Sequence, residues 1–273
     1  MPWNIYGDQR DSLSLLDCGW IQAYAEDAQE SLDLIIQAYA IAEHPDVLTP
    51  MMINLDGFVI THTYELVSLP SQEGVDAFLP PFQTVNKMDL DHPMSLAFTA
   101  GPAYNQAFKQ LQHQALLSAS KVILDIEERF GQFFGRNYSG LIETMHCEDA
   151  EFILVTLGSV AGTVRPVVER LRSLGERVGL VRIRYMRPFP DLEIRKALAG
   201  AKAVGVLEKD ISFGYEGTVF TNVNSALSRS NVKPSRLLNF IGGLGGKDIS
   251  AADIEHLFLR LKSTDDGETV AFI

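Results

Sequence analysis

In the second half of the chain, short apolar runs alternate with amphipathic stretches at a nearly regular spacing. Phe152–Leu157, Val178–Arg184, Ala203–Leu207 and Leu237–Ile241 read as strands. Between and after them, about Val160–Leu174, Asp191–Leu198, Val219–Leu227 and Ala251–Lys262 carry apolar residues at helical spacing. Strands alternating with helices of these lengths predict a mostly parallel sheet with helices on both faces. Ser250-Ala251-Ala252-Asp253 marks a helix start of the capping-box kind, with Asp in the place of Glu or Gln.

The first half is less regular. Leu32, Ile35, Ile36, Tyr39 and Ile41 recur at helical spacing within Ala28–Glu43, and His44-Pro45 stops that helix. Val47–Leu55 reads as a buried strand interrupted by Pro50 and ending at Asp56-Gly57-Phe58. Residues 66–100 place Pro70, Pro80-Pro81 and Pro93 among polar residues, the signature of a long irregular connection. Tyr104–Phe134 then predicts one long helix with a stripe of Phe108, Leu111, Ala115, Leu116, Val122, Ile123, Ile126 and Phe130. Gly135 is placed to end it. The fold class expected is α/β, and no internal repeat is evident.

Composition narrows the function. A chain of 273 residues with 46% hydrophobic content has enough material for a real core. The net charge of −12 argues against a non-specific nucleic-acid binder. Arg165 through Arg187 is a locally basic stretch, read as a solvated helix face plus strand ends. Cys18 and Cys147, isolated from each other, suggest a reducing cytoplasm and exclude a Cys-ligated iron–sulfur cluster within this chain. The six histidines never fall at ligand spacing, so no metal site is expected. No apolar run approaches the roughly 20 residues of a membrane span.

Candidate chemistry lies at the ends of strands. Gly158-Ser159-Val160-Ala161-Gly162 opens a helix after a strand, where backbone N–H groups hold anions in many folds. It lacks dinucleotide-binding spacing, and a tight strand-to-helix turn needs the same residues. Ile241-Gly242-Gly243-Leu244-Gly245-Gly246-Lys247 fails as a P-loop and reads as a glycine-rich turn lining an interface or a neighbouring subunit. Asp8-Gln9-Arg10-Asp11 forms a charged loop before the first helix, and His62 stands alone after a strand end.

Taken in order, these stretches resemble a known family. They are Gly7-Asp8-Gln9-Arg10-Asp11 with Gly19-Trp20, Asp56-Gly57-Phe58, His62-Thr63-Tyr64-Glu65, Phe78-Leu79-Pro80-Pro81, Phe134-Gly135-Arg136 and Gly158-Ser159. Arg187-Pro188-Phe189-Pro190, Ile211-Ser212-Phe213-Gly214 and Gly242 through Gly246 follow. The family is the α subunit of 2-oxoacid:ferredoxin oxidoreductases, of the pyruvate, oxalate and 2-oxoglutarate type. The resemblance implies a partial pyrimidine-type thiamine-binding domain over residues 1–70, a Pro-rich connection and long helix over 71–147, and a transketolase C-terminal-like domain over 148–273.

It also implies oxidative decarboxylation of a 2-oxoacid, with electrons passing to ferredoxin, in a cytoplasmic complex whose α chain is inactive alone. Thiamine diphosphate and magnesium are then shared with or held by a β subunit, and iron–sulfur clusters and coenzyme A lie on further subunits of γ or δ type. This chain alone binds no cofactor and supplies no catalytic residue or metal ligand. Asp8, Gln9, Arg10 and Asp11 are the expected substrate-facing residues. Two departures stand out. Family chains carry a substantial segment ahead of the Gly-Asp loop, so a further chain is expected to complete the first sheet. Many members also carry a carboxylate-binding arginine three residues before the glycine matching Gly19, where this sequence has Leu16. The alternative reading is a non-catalytic scaffold or regulatory subunit of the same fold.

Overall fold

Two sheets carry the chain in a computed structural model that describes residues 3–97, 99–231, 233–263 and 269–273. In chain order the first part holds α1 (Arg10–Leu13), β1 (Ile21–Tyr24), α2 (Ala28–Ala42), β2 (Met51–Asn54), α3 (Gln72–Phe78) and α4 (Pro102–Phe134). The second part holds β3 (Ile142–Met145), β4 (Phe152–Leu157), α5 (Val160–Ser173), β5 (Val178–Ile183), β6 (Tyr185–Arg187) and α6 (Asp191–Leu198). It continues through β7 (Ala203–Glu208), α7 (Thr218–Ser228), β8 (Arg236–Ile241), α8 (Ala251–Lys262) and β9 (Val270–Phe272).

The larger sheet has the order β3-β5-β4-β7-β8-β9, parallel except for the antiparallel edge strand β3. Alternation along β4 explains its two covered faces. Ile153, Val155 and Leu157 pack against α6 and α7, whereas Leu154 joins the core under α5 and α8. The Ser250–Asp253 capping box starts α8 as expected.

The smaller sheet has the order β2-β1-β6, with β1 parallel to β2 and antiparallel to β6. Its third strand belongs in sequence to the second part: after Arg184 the chain leaves the large sheet and pairs Tyr185 with Ala23. Ile21, Ala23 and Tyr185 pack on α2 and α4, while Tyr24 and Met186 join the core of the second part. The two parts therefore share a continuous interior.

Several expectations are corrected. The strand expected over Val47–Leu55 shortens to Met51–Asn54, because Val47 and Leu48 turn back to hydrogen-bond the His44 carbonyl. Residues 66–100 are not wholly irregular: the Ser71 hydroxyl accepts from the Gly74 N–H and starts α3. The stripe on α4 is buried only from Ala119 to Phe130, whereas Phe108 and Leu111 are 44% and 61% exposed. The strand expected over Val178–Arg184 ends at Ile183, and a separate strand, β6, follows it at Tyr185–Arg187.

The largest correction concerns the basic stretch. Arg182 and Arg184 are 2% and 1% exposed. Arg182 lies on β5 and Arg184 in the link between β5 and β6, and both reach the same carboxylate. Glu30 of α2 accepts from both, at 2.6 Å and 2.7 Å, and Glu127 of α4 accepts from Arg184 at 2.8 Å. Glu143 on β3 and Arg165 on α5 extend the cluster, and Arg165 also grips Glu26. These pairs join the helices of the first part to the strands of the second.

Candidate functional site

The carboxyl ends of strands from both sheets face one another, and in open α/β sheets that is where ligand crevices form. Asp56 and Gly57 follow β2, Gly158 and Ser159 follow β4, Glu208 closes β7 into Lys209 and Asp210, and Gly242–Gly246 follow β8. The Gly7–Asp11 loop lies between them. Gly7 and Gly57 approach so closely that a methyl group on Gly7 would stand 3.1 Å from the Gly57 Cα. The cleft enclosed has a volume of about 140 Å³ and is lined by Asp8, Gln9, Asp11, Tyr24, Asp56 and Gly158, among others.

The loop is pinned from both domains. The Gln9 N–H donates to the Lys209 carbonyl at 3.0 Å, and the Gln9 amide donates to Asp56 Oδ1 at 3.1 Å. Asp56 Oδ2 accepts from the Ser159 N–H at 2.7 Å and from the Ser159 hydroxyl, with Lys209 Nζ at 3.4 Å. Asp56 is thus the point at which β2, β4 and β7 meet. Gln9 is buried, and its Oε1 has no hydrogen-bond partner among the described residues. An unsatisfied buried acceptor costs about 1–3 kcal/mol, so a donor arriving in the cleft would be favoured.

Asp8 is held by its neighbours. Arg10 donates to it through Nε at 2.9 Å and Nη2 at 2.7 Å, and the Gly245 N–H donates at 3.0 Å. Burial pushes the Asp8 carboxyl up, and these donors, with the Arg10 N–H at 3.3 Å, more than reverse that and leave it below the ordinary aspartate range. Arg10 also lies over the Phe213 ring at 5.6 Å. Arg10 and Asp11 are both exposed, and Asp11 lines the cleft.

Behind the cleft, Glu208 is fully buried. Its carboxylate accepts from the Val219 and Phe220 N–H groups at 2.7 Å and 3.0 Å, and from the Asn239 amide at 2.7 Å. Burial pushes its pKa up to about 8 against these three donors.

Of the four residues expected to face substrate, Asp8, Gln9 and Asp11 line this cleft, whereas Arg10 is tied to Asp8 and Phe213 and is not part of its wall. Asp8 and Gln9 are engaged with the protein, and Arg10 and Asp11 face outward. His62 stacks on Phe58 at 4.2 Å on the exposed rim, next to Tyr6. Leu16 lies elsewhere, packed with Leu13 in the core of the second part. Sequence reasoning attached no role to Asp56, Lys209 or Glu208. Their signal was positional, since each ends or follows a strand on the edge that builds the crevice. Among the described residues no group of three or more His, Cys, Asp or Glu is placed to hold a metal ion. No helix among them is long and apolar enough to cross a membrane.

Comparison with known proteins follows the same two-part division. Residues 1–128 match the family described as "Pyruvate flavodoxin/ferredoxin oxidoreductase, thiamine diP-bdg". Residues 150–254 match "Pyruvate:ferredoxin oxidoreductase core domain II". Pyruvate synthase subunit PorA of Methanothermobacter thermautotrophicus is 42% identical over 268 residues, covering 98% of this chain and 68% of that protein. Ketoisovalerate oxidoreductase subunit VorA of Pyrococcus abyssi is 40% identical over 262 residues, covering 96% of this chain and 66% of its own length. Among solved structures, the 2-oxoglutarate:ferredoxin oxidoreductase of Magnetococcus marinus superposes with a TM-score of 0.58 at 19% identity. That match covers 93% of this chain and 45% of the other, and it supports the fold.

Proposed function

Because the chain belongs to the pyruvate flavodoxin/ferredoxin oxidoreductase family, we propose that it works as the α-type subunit of a 2-oxoacid:ferredoxin oxidoreductase. The reaction is the thiamine-diphosphate-dependent oxidative decarboxylation of a 2-oxoacid, with electrons delivered to ferredoxin. The relatives named above are subunits of enzymes acting on pyruvate and on ketoisovalerate. A 2-oxoacid with a small or branched aliphatic tail is therefore the substrate class for this chain.

The cleft does not fit the whole cofactor. Its volume of about 140 Å³ falls below the roughly 300–1,000 Å³ of small-molecule sites. The described residues also lack a carboxylate set for the diphosphate's metal ion. We assign the diphosphate and magnesium to a β-type partner, and the iron–sulfur clusters and coenzyme A chemistry to further subunits. What this chain contributes is a wall. Asp56 fixes the Gly7–Asp11 loop against Ser159 and Lys209, so that loop keeps one shape as partners and substrate meet it. Arg10 and Asp11 face the shared site, and the free Gln9 Oε1 accepts from a donor entering the cleft.

The observation that carries this reading is the meeting of loops from both family modules at one cleft. It is tested with the complex purified from its host, by measuring 2-oxoacid-dependent reduction of a viologen dye. Wild-type complex is expected to reduce the dye with at least one 2-oxoacid. Gln9→Ala is expected to lower kcat/KM by about tenfold, equivalent to ~1.4 kcal/mol, without dissociating the subunits. An intact complex that is inert toward pyruvate, 2-oxoisovalerate, 2-oxoglutarate and oxalate would instead establish the scaffold reading.

A further inference from the structure

A second cavity, of about 700 Å³, opens at the amino end of β1, opposite the cleft. Its walls come from the Leu16–Gly19 loop of the first part, from the middle of α4, and from the Arg187–Phe189 turn with α6 and α7. Leu16, Leu116, Phe189 and Leu192 supply apolar surface. A size in the ligand range, mainly apolar walls and a few polar groups are the usual attributes of a small-molecule site.

Arg187 is the polar group that stands out. Elsewhere the chain pairs its buried guanidinium groups with carboxylates, as at Arg165, Arg182 and Arg184. The half-buried Arg187 has only neutral partners: Nη1 donates to the Met186 carbonyl at 2.7 Å and to Asn222 Oδ1 at 3.1 Å. Among the described residues Nε and Nη2 have no acceptor, and Asp17 acts on the group only through space. Burial with no carboxylate in contact depresses its pKa. Nε and Nη2 together form the edge of a guanidinium that grips a carboxylate through two parallel bonds. The other arginine of the wall, Arg229, already faces Asp191, which also binds Arg195 at 2.7 Å.

Charge and shape narrow the ligand. The charges of the wall balance, with Asp17, Asp191 and Glu193 against Lys109, Arg187 and Arg229, so the cavity holds no excess positive charge for a dianion such as phosphate. The apolar walls favour a hydrocarbon body behind the charged head. We propose that this interdomain cavity binds a small organic monocarboxylate, with its carboxylate on Arg187 Nε and Nη2 and its aliphatic body against Leu16, Leu116 and Phe189. The walls belong to both parts of the chain, so occupancy stabilises their mutual arrangement by mass action. The site is separate from the cleft and does not depend on the reaction assigned to it.

The test is calorimetric titration of the purified complex with acetate, butyrate, hexanoate and inorganic phosphate. Affinity is expected to rise from acetate to hexanoate, and phosphate is expected not to bind. Arg187→Gln should weaken hexanoate binding by at least about tenfold. Because Arg187 also bonds the backbone, Leu117→Trp on the exposed rim is the second variant, expected to block the cavity with the guanidinium left in place. The proposal fails if no member of the series binds, or if hexanoate binding survives Leu117→Trp undiminished. It fails equally if an acidic side chain of another subunit fills the cavity and grips Arg187.

Discussion

Gly158 has no room for a methyl group. Its φ of +70° is left-handed, and a Cβ built there would lie 2.6 Å from the Gln9 amide nitrogen and 2.9 Å from Asp56 Oδ2. The glycine thus lets β4 turn into α5 while the Gly7–Asp11 loop rests on it. Gly175 offers an internal control, since its φ is +85° and nothing lies within 4 Å of the added carbon. Gly175→Ala is expected to cost about 1–2 kcal/mol, the backbone strain alone. Gly158→Ala should cost more, by about 1–3 kcal/mol for the disturbed Gln9–Asp56 bond and the donors it leaves unpaired. Thermal unfolding of both variants measures the difference. Equal losses would mean that the loop does not depend on close contact at Gly158. Sequence alone exposed the need for Gly and Ser after this strand, because a strand-to-helix turn requires them. It did not reveal Asp56 as their partner, since that contact spans 103 positions and depends on how two sheets face each other.

At the scale of elements, helix starts are the best-specified features, and two of them separate what is local from what is not. The α8 start is local: Ser250 and Asp253 satisfy each other's backbone N–H groups. Ser250→Ala should cost about 0.5–2 kcal/mol, read from the urea midpoint, with the remaining structure unchanged. The α7 start lacks a side-chain cap of its own, because the Gly217 N-cap has none, and Glu208 at the end of β7 serves instead. Its pKa is raised in the folded chain to about 8, against about 4.3 in an unfolded one. Folding therefore retains a proton that the unfolded chain releases between those values. The contribution of Glu208 is fully present below the lower value and is lost as pH rises through about 8. The difference in Tm between wild type and Glu208→Ala is expected to shrink from pH 5 to pH 9. A gap that widened over that range would contradict the raised pKa. The α8 start was legible because its residues lie three apart. The α7 start was not, because its cap comes from another element. For the same reason β6 escaped notice, since no local pattern says that a strand will change sheets after Arg184.

For the whole molecule, the question is what makes two sheets behave as one body. The basic stretch that reads in sequence as solvated surface is instead the centre of their contact, because no local signal tells a strand arginine that its carboxylate will come from a helix 152 residues away. Glu30 holds Arg182 and Arg184 together, and Arg184 continues to Glu127. The two acids respond differently to sharing one guanidinium. Burial raises both, but at Glu30 the two arginines more than reverse it, whereas at Glu127 the single arginine does not. Glu30 is therefore the acid on which the junction depends. Glu30→Gln should cost up to about 3–5 kcal/mol, because it removes the one carboxylate that both buried cations share and leaves Arg182 to Glu26 and Glu143 and Arg184 to Glu127. Glu127→Gln should cost clearly less. The sign with pH follows from the lowered pKa of Glu30: its contribution is present above the unfolded glutamate value of about 4.3 and disappears as pH falls through the lower folded value. Denaturant unfolding at pH 7 and pH 3 should thus show a wide gap between wild type and Glu30→Gln at neutrality and a narrow one in acid. At neutral pH the variant should also lose the single cooperative transition, with the α2–α4 layer unfolding before the six-stranded sheet. Two probes report this separately: fluorescence of Trp20, which immediately precedes β1, and far-ultraviolet circular dichroism of the whole chain. Coincident transitions in Glu30→Gln would mean that the shared apolar interior under Tyr24 and Met186, rather than the ion cluster, joins the two halves.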